Sequence, residues 1–113
     1  SGFAARGRGA LKQMAVEVVG SEIAVDDFEM LYDQCALTKD IQAAESFRSQ
    51  VLKLADLLGT FPRLGMVDPW NKHVRRLRID SNNFLVYSVG VDIVMIEGIV
   101  LYRQYRSQFP EAD

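Results

Sequence analysis

Three strand-like segments follow one another in the last third of the chain, and only a few turn-forming residues separate them. The segments are residues 73–79, 84–89 and 91–101. Asn82-Asn83 lies in the first break and Gly90 in the second, and both residue types tolerate the positive φ angles of tight hairpin turns. Connections this short join antiparallel neighbours, because a parallel pair needs a long crossover. The sequence therefore predicts a three-stranded antiparallel meander.

The first half of the chain has the periodicity of helices. A short strand at residues 15–19 precedes it, and apolar residues then recur every three or four positions over residues 23–35 and 41–58. This spacing is that of one helix face. Thr38 or Asp40 can cap the second helix. The short link between the helices predicts an antiparallel helix hairpin.

The order strand, helix, helix, strand, strand, strand predicts an α+β fold (β-α-α-β-β-β), with the helix hairpin on one face of a small antiparallel sheet. The last strand is almost wholly apolar, which favours a central position covered on both faces. The other face of the sheet stays partly open, and strand arginines can line it. Glu97 interrupts the apolar strand, and we expect it to meet water or a basic partner such as Arg75 or Arg103. Trp70 is expected to pack at the edge of the core, with stacking on a ligand as the alternative.

The length and the charge distribution of the chain limit the functions that it can have. The chain has 113 residues, which is the size of one domain, and 49% of them are hydrophobic. Residues 14–60 carry three basic and nine acidic residues, whereas residues 61–113 carry seven basic and six acidic residues. The acidic half argues against a non-specific nucleic-acid binder. The basic residues of the second half can still bind phosphate or an acidic partner; they cluster at Arg75, Arg76, Arg78, Arg103 and Arg106.

Several classes of protein are disfavoured. Cys35 is the single cysteine, so we expect no disulfide, a packed thiol and a reducing, cytoplasmic location. No apolar segment approaches the roughly 20 residues that span a bilayer, and no secretory signal is recognisable. One histidine and one cysteine far apart predict no metal site, and the lack of a glycine-rich loop predicts no nucleotide cofactor. Residues 1–13 are interpreted as a tag remnant or flexible extension, or as an arm that docks on a partner, and residues 14–113 as the domain.

Four short segments resemble motifs of the RelE/ParE superfamily of bacterial type II toxins. They are Pro62–Gly65 (PRLG), Val74–Leu77 (VRRL), Phe84–Tyr87 (FLVY) and Ile99–Arg103 (IVLYR). They are similar to the family's P-x-x-G, hR-x-L, h-h-h-Y and terminal h-L-H-x-R motifs, in the same order. The resemblance covers residues 14–106 and implies a toxin that arrests growth. It also implies a cognate antitoxin protein that neutralises the toxin, in a hetero-oligomer.

The family contains ribosome-dependent messenger-RNA endonucleases, which are RelE-like, and ParE-like poisons of DNA gyrase. In the first group, arginines would bind the scissile phosphate. The residues that the resemblance offers for catalysis are Arg76, Arg78, Tyr87, Arg103 and Tyr105. Two departures disfavour cleavage: Phe84 stands where cleaving members carry arginine, and Tyr102 where several carry histidine. A tyrosine with an ordinary pKa near ~10 is also a poor base at neutral pH.

The apolar strand at residues 84–87 is more similar to ParE-type members, which poison gyrase without catalytic residues of their own. In this interpretation the surface that binds partner or target comprises Arg75, Arg76, Arg78, Tyr102, Arg103, Arg106 and Phe109. The open sheet face and the groove of the helix hairpin are the surfaces expected to receive the antitoxin. The alternatives are a ribosome-dependent endonuclease, or a non-toxic member that only binds an antitoxin. Each arginine can also simply be solvated at the sheet edge and pair with Glu97 or Asp92.

Overall fold

The computed structural model describes residues 16–101. Its elements are β1 (Glu17–Gly20), α1 (Glu22–Thr38), α2 (Ile41–Thr60), β2 (Met66–Val67), β3 (Arg75–Arg78), β4 (Asn83–Val89) and β5 (Ile93–Leu101). The predicted α+β order is confirmed. One element was not predicted: β2 lies in the segment that was interpreted as a loop.

The five strands form one sheet in the order β1-β5-β4-β3-β2. β5 lies between β1 and β4, which confirms the central position predicted from its apolar sequence. β3, β4 and β5 form the predicted antiparallel meander. The expectation of a wholly antiparallel sheet was wrong, because β1 pairs with β5 in parallel. The helix hairpin between β1 and the meander is long enough to serve as the crossover that a parallel pair requires.

Local capping explains where the helices begin. Ser21 precedes α1, and its side-chain oxygen accepts a hydrogen bond from the Ala24 N–H at 3.0 Å. Asp40 precedes α2 and accepts from the Ala43 N–H at 2.8 Å. Each side chain thus satisfies one of the amide groups that a helix start leaves unpaired. Of the two residues predicted to cap α2, Asp40 is the one that does so.

The core lies between α2 and the sheet. One face of α2 is buried over its whole length, with Val51 and Leu58 fully inaccessible. Its partners on the sheet include Val18, Leu85 and Ile96. α1 contributes less, since Ala24 is its only buried residue and Cys35 is half-buried. We therefore expect truncation of a buried α2 side chain to cost about 2–5 kcal/mol.

The start of α1 is hydrogen-bonded to β5 beside a β-bulge in that strand. Tyr87 pairs with Ile96 and Val86 pairs with Gly98, so Glu97 is the extra residue. The Ser21 hydroxyl donates to the Glu97 carbonyl at 3.1 Å. The Ile99 N–H donates to the carboxylate of Asp27 at 3.1 Å. The last pair between β1 and β5 is Gly20 with Ile96, so in the part of the chain that the structure describes β5 has no strand partner on that side beyond this point. Ser21 and Asp27 supply hydrogen-bond partners for two of its backbone groups there.

A candidate binding surface on the open sheet face

Arg76 and Arg78 lie on the face of the sheet that the helices leave open. Arg78 is opposite Phe84 on β4, and Arg76 is opposite Val86. The guanidinium carbons of Arg76 and Arg78 lie 5.5 and 5.2 Å from the centre of the Phe84 ring. These are cation–π distances, and each such contact contributes about 0.5–1 kcal/mol at an exposed site. The Phe84 ring therefore contacts two guanidinium groups, which lie side by side.

Phe84 has a structural role that the sequence did not reveal. It stands where cleaving family members are expected to carry an arginine, and this was interpreted only as a departure from that group. In the structure its ring is buried and supports both neighbouring guanidinium groups. The apolar residue thus organises the basic surface.

The rest of the open face is apolar in the middle and acidic at the far side. Val19, Met95 and Ser88 are aligned across β1, β5 and β4, and all three are half-buried. Glu17 and Glu97 are exposed at the β1 and β5 side. The Glu97 carboxylate accepts a hydrogen bond from the Ser88 hydroxyl at 2.7 Å. The face is therefore polarised, with its basic side on β3.

Arg75 lies on the opposite face and has a structural task. Its guanidinium group donates to the backbone carbonyls of Gly65 at 2.7 Å and Arg63 at 3.3 Å. Arg75 is therefore not the basic partner of Glu97 that the sequence offered as one alternative, because strand alternation directs Arg75 toward the 62–65 segment. Arg75 therefore fixes the loop that precedes β2.

Tyr87 completes this loop contact from within the core. Tyr87 is fully buried, and its hydroxyl accepts a hydrogen bond from the Gly65 N–H at 2.8 Å. A Cβ atom at Gly65 would lie 2.6 Å from the Arg76 carbonyl oxygen and 2.8 Å from the Tyr87 hydroxyl. Only glycine fits this close approach of backbone to strand. The Pro62–Gly65 segment and Tyr87, which belong to two separate sequence motifs, therefore contact each other directly.

The environment of Tyr87 opposes ionisation. Burial raises the pKa of its hydroxyl, while the hydrogen bond from Gly65 and the charge of Arg75 act in the other direction. Tyr87 is opposite Arg75 in the register, so it lies on the other face of the sheet from Arg76 and Arg78. The residues predicted for catalysis are thus divided: two arginines share the open face, and the tyrosine does not. A catalytic role for this set stays a prediction.

Five predicted site residues lie outside the described residues: Tyr102, Arg103, Tyr105, Arg106 and Phe109. Their contribution to catalysis or to partner binding stays a prediction.

A cleft of about 870 Å³ opens where the helix hairpin meets the β3–β4 turn. Its apolar lining includes Leu31, Phe47, Ile79 and Leu101, and its polar lining includes Gln34, Lys39, Gln50 and Asp80. This cleft corresponds to the helix-hairpin groove expected from the sequence. That the β3–β4 turn forms one wall was not predicted, since helix periodicity carries no information on which turn lies beside it. Trp70 lies elsewhere, on the loop after β2, and is 44% exposed.

Within residues 16–101, neither helix combines the length and the hydrophobicity needed to cross a bilayer. No protein-family model matches the sequence, and no curated protein matches it either. The structure does match a chain of the solved structure titled "Chromosomal ParDE TA system from P. aeruginosa". The TM-score is 0.66 at 17% sequence identity, over 78% of this chain and 96% of that chain. At this identity the match concerns the fold, which many functions can share. The chain therefore shares the fold of a chain in the structure of that ParDE TA system.

Proposed function

We propose that this chain is the toxin of a bacterial type II toxin–antitoxin module and acts in the cytoplasm by binding and poisoning DNA gyrase. The fold and the four motif segments support the toxin assignment. The burial of Tyr87 is the observation that favours binding over cleavage. Its hydroxyl is engaged by the Gly65 N–H at 2.8 Å and faces away from the two arginines.

The chemistry of RNA cleavage explains why the buried position of the Tyr87 hydroxyl disfavours an endonuclease. Cleavage of RNA at a ribose 2′-hydroxyl needs one group that removes a proton and another that delivers one. Arg76 and Arg78 supply positive charge and hydrogen-bond donors, but a guanidinium group has no acceptor that could take up a proton. Tyr87, with its raised pKa and its buried hydroxyl, does not add proton transfer on their face. The open face is better suited to recognise an acidic or phosphate-bearing surface.

A ribosome-dependent messenger-RNA endonuclease is the second candidate. The pair of guanidinium groups above Phe84 favours it, because two adjacent positive charges can stabilise the scissile phosphate in the transition state.

The cognate antitoxin is proposed to use the cleft beside the helix hairpin together with the open sheet face. The cleft is lined by buried apolar side chains such as Phe47 and Ile79 and by exposed polar ones such as Gln34 and Lys39, which suits one face of an amphipathic segment. The positive side of the open face would attract acidic residues of the same antitoxin. Toxin and antitoxin would then form a hetero-oligomer in which the toxin surface is covered.

Growth after induced expression in a bacterial host without the neighbouring genes tests the proposal. We expect arrest with the natural chain and its relief when the adjacent small open reading frame is co-expressed. The double variant Arg76→Ala/Arg78→Ala should lose at least about tenfold in toxicity. The matched control Arg48→Ala/Lys53→Ala removes two charges from exposed positions on α2 outside the cleft and should stay toxic.

The molecular readouts separate the candidates. Gyrase–DNA breaks with intact transcripts would support the poison, whereas codon-phased transcript cleavage would support the endonuclease. A folded chain that binds the adjacent gene product but never slows growth would be a non-toxic binding module, and the proposal would be wrong.

A further inference from the structure

The edge of the sheet formed by β2 has the properties of a strand-binding site. β2 is the last strand on its side of the sheet within residues 16–101. The Asp68 N–H donates to the Val74 carbonyl at 3.0 Å, toward β3. Since hydrogen-bonding groups alternate along an antiparallel strand, the preceding residue Val67 directs its N–H and carbonyl outward. A free edge of this kind is a template for another strand.

The side chains at this edge are apolar and exposed. Met66 is 69% exposed, and Leu64, Val67 and Trp70 are each close to half-exposed. Very short strands and nearby charged residues or prolines limit unspecific pairing at a sheet edge, and β2 has only two residues. Within residues 16–101, the exposed apolar side chains around this short edge form a patch of the kind that marks an interaction surface. Because Met66 is opposite Arg76, this surface is continuous with the arginines of the open face.

The charges around this edge are almost all positive. Residues 61–78 carry five basic residues and one acidic residue, Asp68. Asp68 is buried, and its carboxylate accepts hydrogen bonds from the N–H groups of Trp70 at 2.7 Å and Asn71 at 3.0 Å. The exposed charges therefore come from basic residues such as Arg63 and Lys72. By contrast, residues 16–60 carry nine acidic and three basic residues.

We propose that the β2 edge binds an extended, acidic segment of another polypeptide, which adds a strand beside β2. In this arrangement, backbone groups pair with Val67, apolar side chains of the segment cover Leu64 and Met66, and its carboxylates lie near Arg63 and Lys72. Strand addition of this kind derives affinity from backbone hydrogen bonds and specificity from alternate side chains. The inference goes beyond the proposed function, which assigned partners to the cleft and to the open face.

Two other occupants fit the edge less well. A second copy of this chain would bring the same basic residues together, and like charges across an interface disfavour association. A nucleic-acid strand would satisfy the basic residues and could stack on Trp70. It would leave the outward backbone groups of Val67 and the aliphatic side chains without suitable partners.

The surface is also held in place before any partner arrives. Gly65 is fixed from both sides, by the Tyr87 hydroxyl through its N–H and by the Arg75 guanidinium group through its carbonyl. The turn after β2 is held by Asp68, as above, and by the Asn71 side chain, which accepts from the His73 N–H at 3.0 Å. A preorganised surface loses little conformational entropy when it binds.

Trp70 is the single tryptophan of the chain, so its fluorescence reports directly on this edge. The full chain is titrated with an acetylated ten-residue peptide in which glutamate and valine alternate. We expect a saturable change, weakened by salt, and new protection of the Val67 amide from hydrogen exchange. Arg63→Glu/Lys72→Glu should weaken binding about tenfold, since two rim charges contribute about 1.4 kcal/mol together. Arg48→Glu/Lys53→Glu, with the same change in charge at exposed positions outside the cleft, should bind as the natural chain does.

Met66→Ser tests the apolar part of the surface and should also weaken binding, while circular dichroism checks that the variant is folded. The proposal is overturned by several results. These are no saturable binding, equal weakening in the helix-hairpin control, or amide protection confined to the cleft. Stronger binding of a ten-nucleotide single strand than of the peptide, or self-association that Met66→Ser abolishes, would identify the other occupants. None of these readouts depends on toxicity, so the inference can fail while the proposed function stands.

Discussion

Tyr87→Phe separates a structural role of the strand tyrosine from a catalytic one. The substitution removes only the hydroxyl, so the ring still fills its fully buried site. The Gly65 N–H, which donates to that hydroxyl at 2.8 Å, then lies buried with no acceptor. Leaving a buried donor unsatisfied costs about 1–3 kcal/mol. Because a domain of this size has a total stability of only about 5–15 kcal/mol, this loss should be readily measurable.

The expected change in melting temperature follows from this cost. A loss of about 2 kcal/mol corresponds to a decrease of roughly 8–16 °C, at about 4–8 °C per kcal/mol for a small domain. Chemical denaturation should give a lower midpoint with an unchanged slope, because the surface exposed on unfolding is the same. Toxicity should persist at temperatures where the variant is folded.

Tyr32→Phe is the matched control. Its hydroxyl donates to the carboxylate of Glu45 between α1 and α2 at an exposed site. We expect this control to change the stability by less than about 0.5 kcal/mol, as surface substitutions usually do. Two results would refute the reasoning: equal stability of Tyr87→Phe and the natural chain, or loss of toxicity in a fully stable Tyr87→Phe protein. Loss of toxicity in a fully stable variant would support a catalytic role for the Tyr87 hydroxyl.

Three further predictions concern the same contacts. Because burial raises the pKa of Tyr87 above its ordinary value of 10.0, the unfolded state ionises first; the stability due to this group is complete below pH ~10 and falls as pH rises toward the folded-state pKa. Denaturation midpoints between pH 9 and 11 should show this fall, and it should be smaller in Tyr87→Phe. Gly65→Ala places a Cβ 2.6 Å from a backbone carbonyl oxygen of β3 and should cost about 1–3 kcal/mol in thermal denaturation, as overpacking does. Asp27→Ala leaves the Ile99 N–H without its carboxylate partner and should cost about 1–3 kcal/mol, whereas the exposed Asp26→Ala should be nearly neutral; equal losses would contradict the assigned contact.

The local pattern of the sequence predicted the elements and much of their arrangement. Helix periodicity, a helix cap at Thr38 or Asp40 and the turn residues at Asn82-Asn83 act over a few positions, so they can be read without a structure. The alternation within β3 also predicted that Arg76 and Arg78 share one face. The apolar β5 indicated its central position. These features depend on neighbours in sequence, or on the simple contrast between buried and exposed faces.

Contacts between distant residues were decided by the tertiary structure. The parallel pairing of β1, the two-residue strand β2 and the bulge at Glu97 depend on which strands meet and in which register. The roles of Gly65 and Tyr87 depend on the same register, because their contact joins positions 22 residues apart. The sequence placed Tyr87 among the residues predicted for catalysis, since the partner of a tyrosine in a strand becomes visible only when the loop is folded onto it. The sequence by itself thus determined both helices, four of the five strands and the shared face of Arg76 and Arg78. Only the tertiary structure decided that Tyr87 belongs to the core, because burial and hydrogen bonding at that position come from residues distant in the chain.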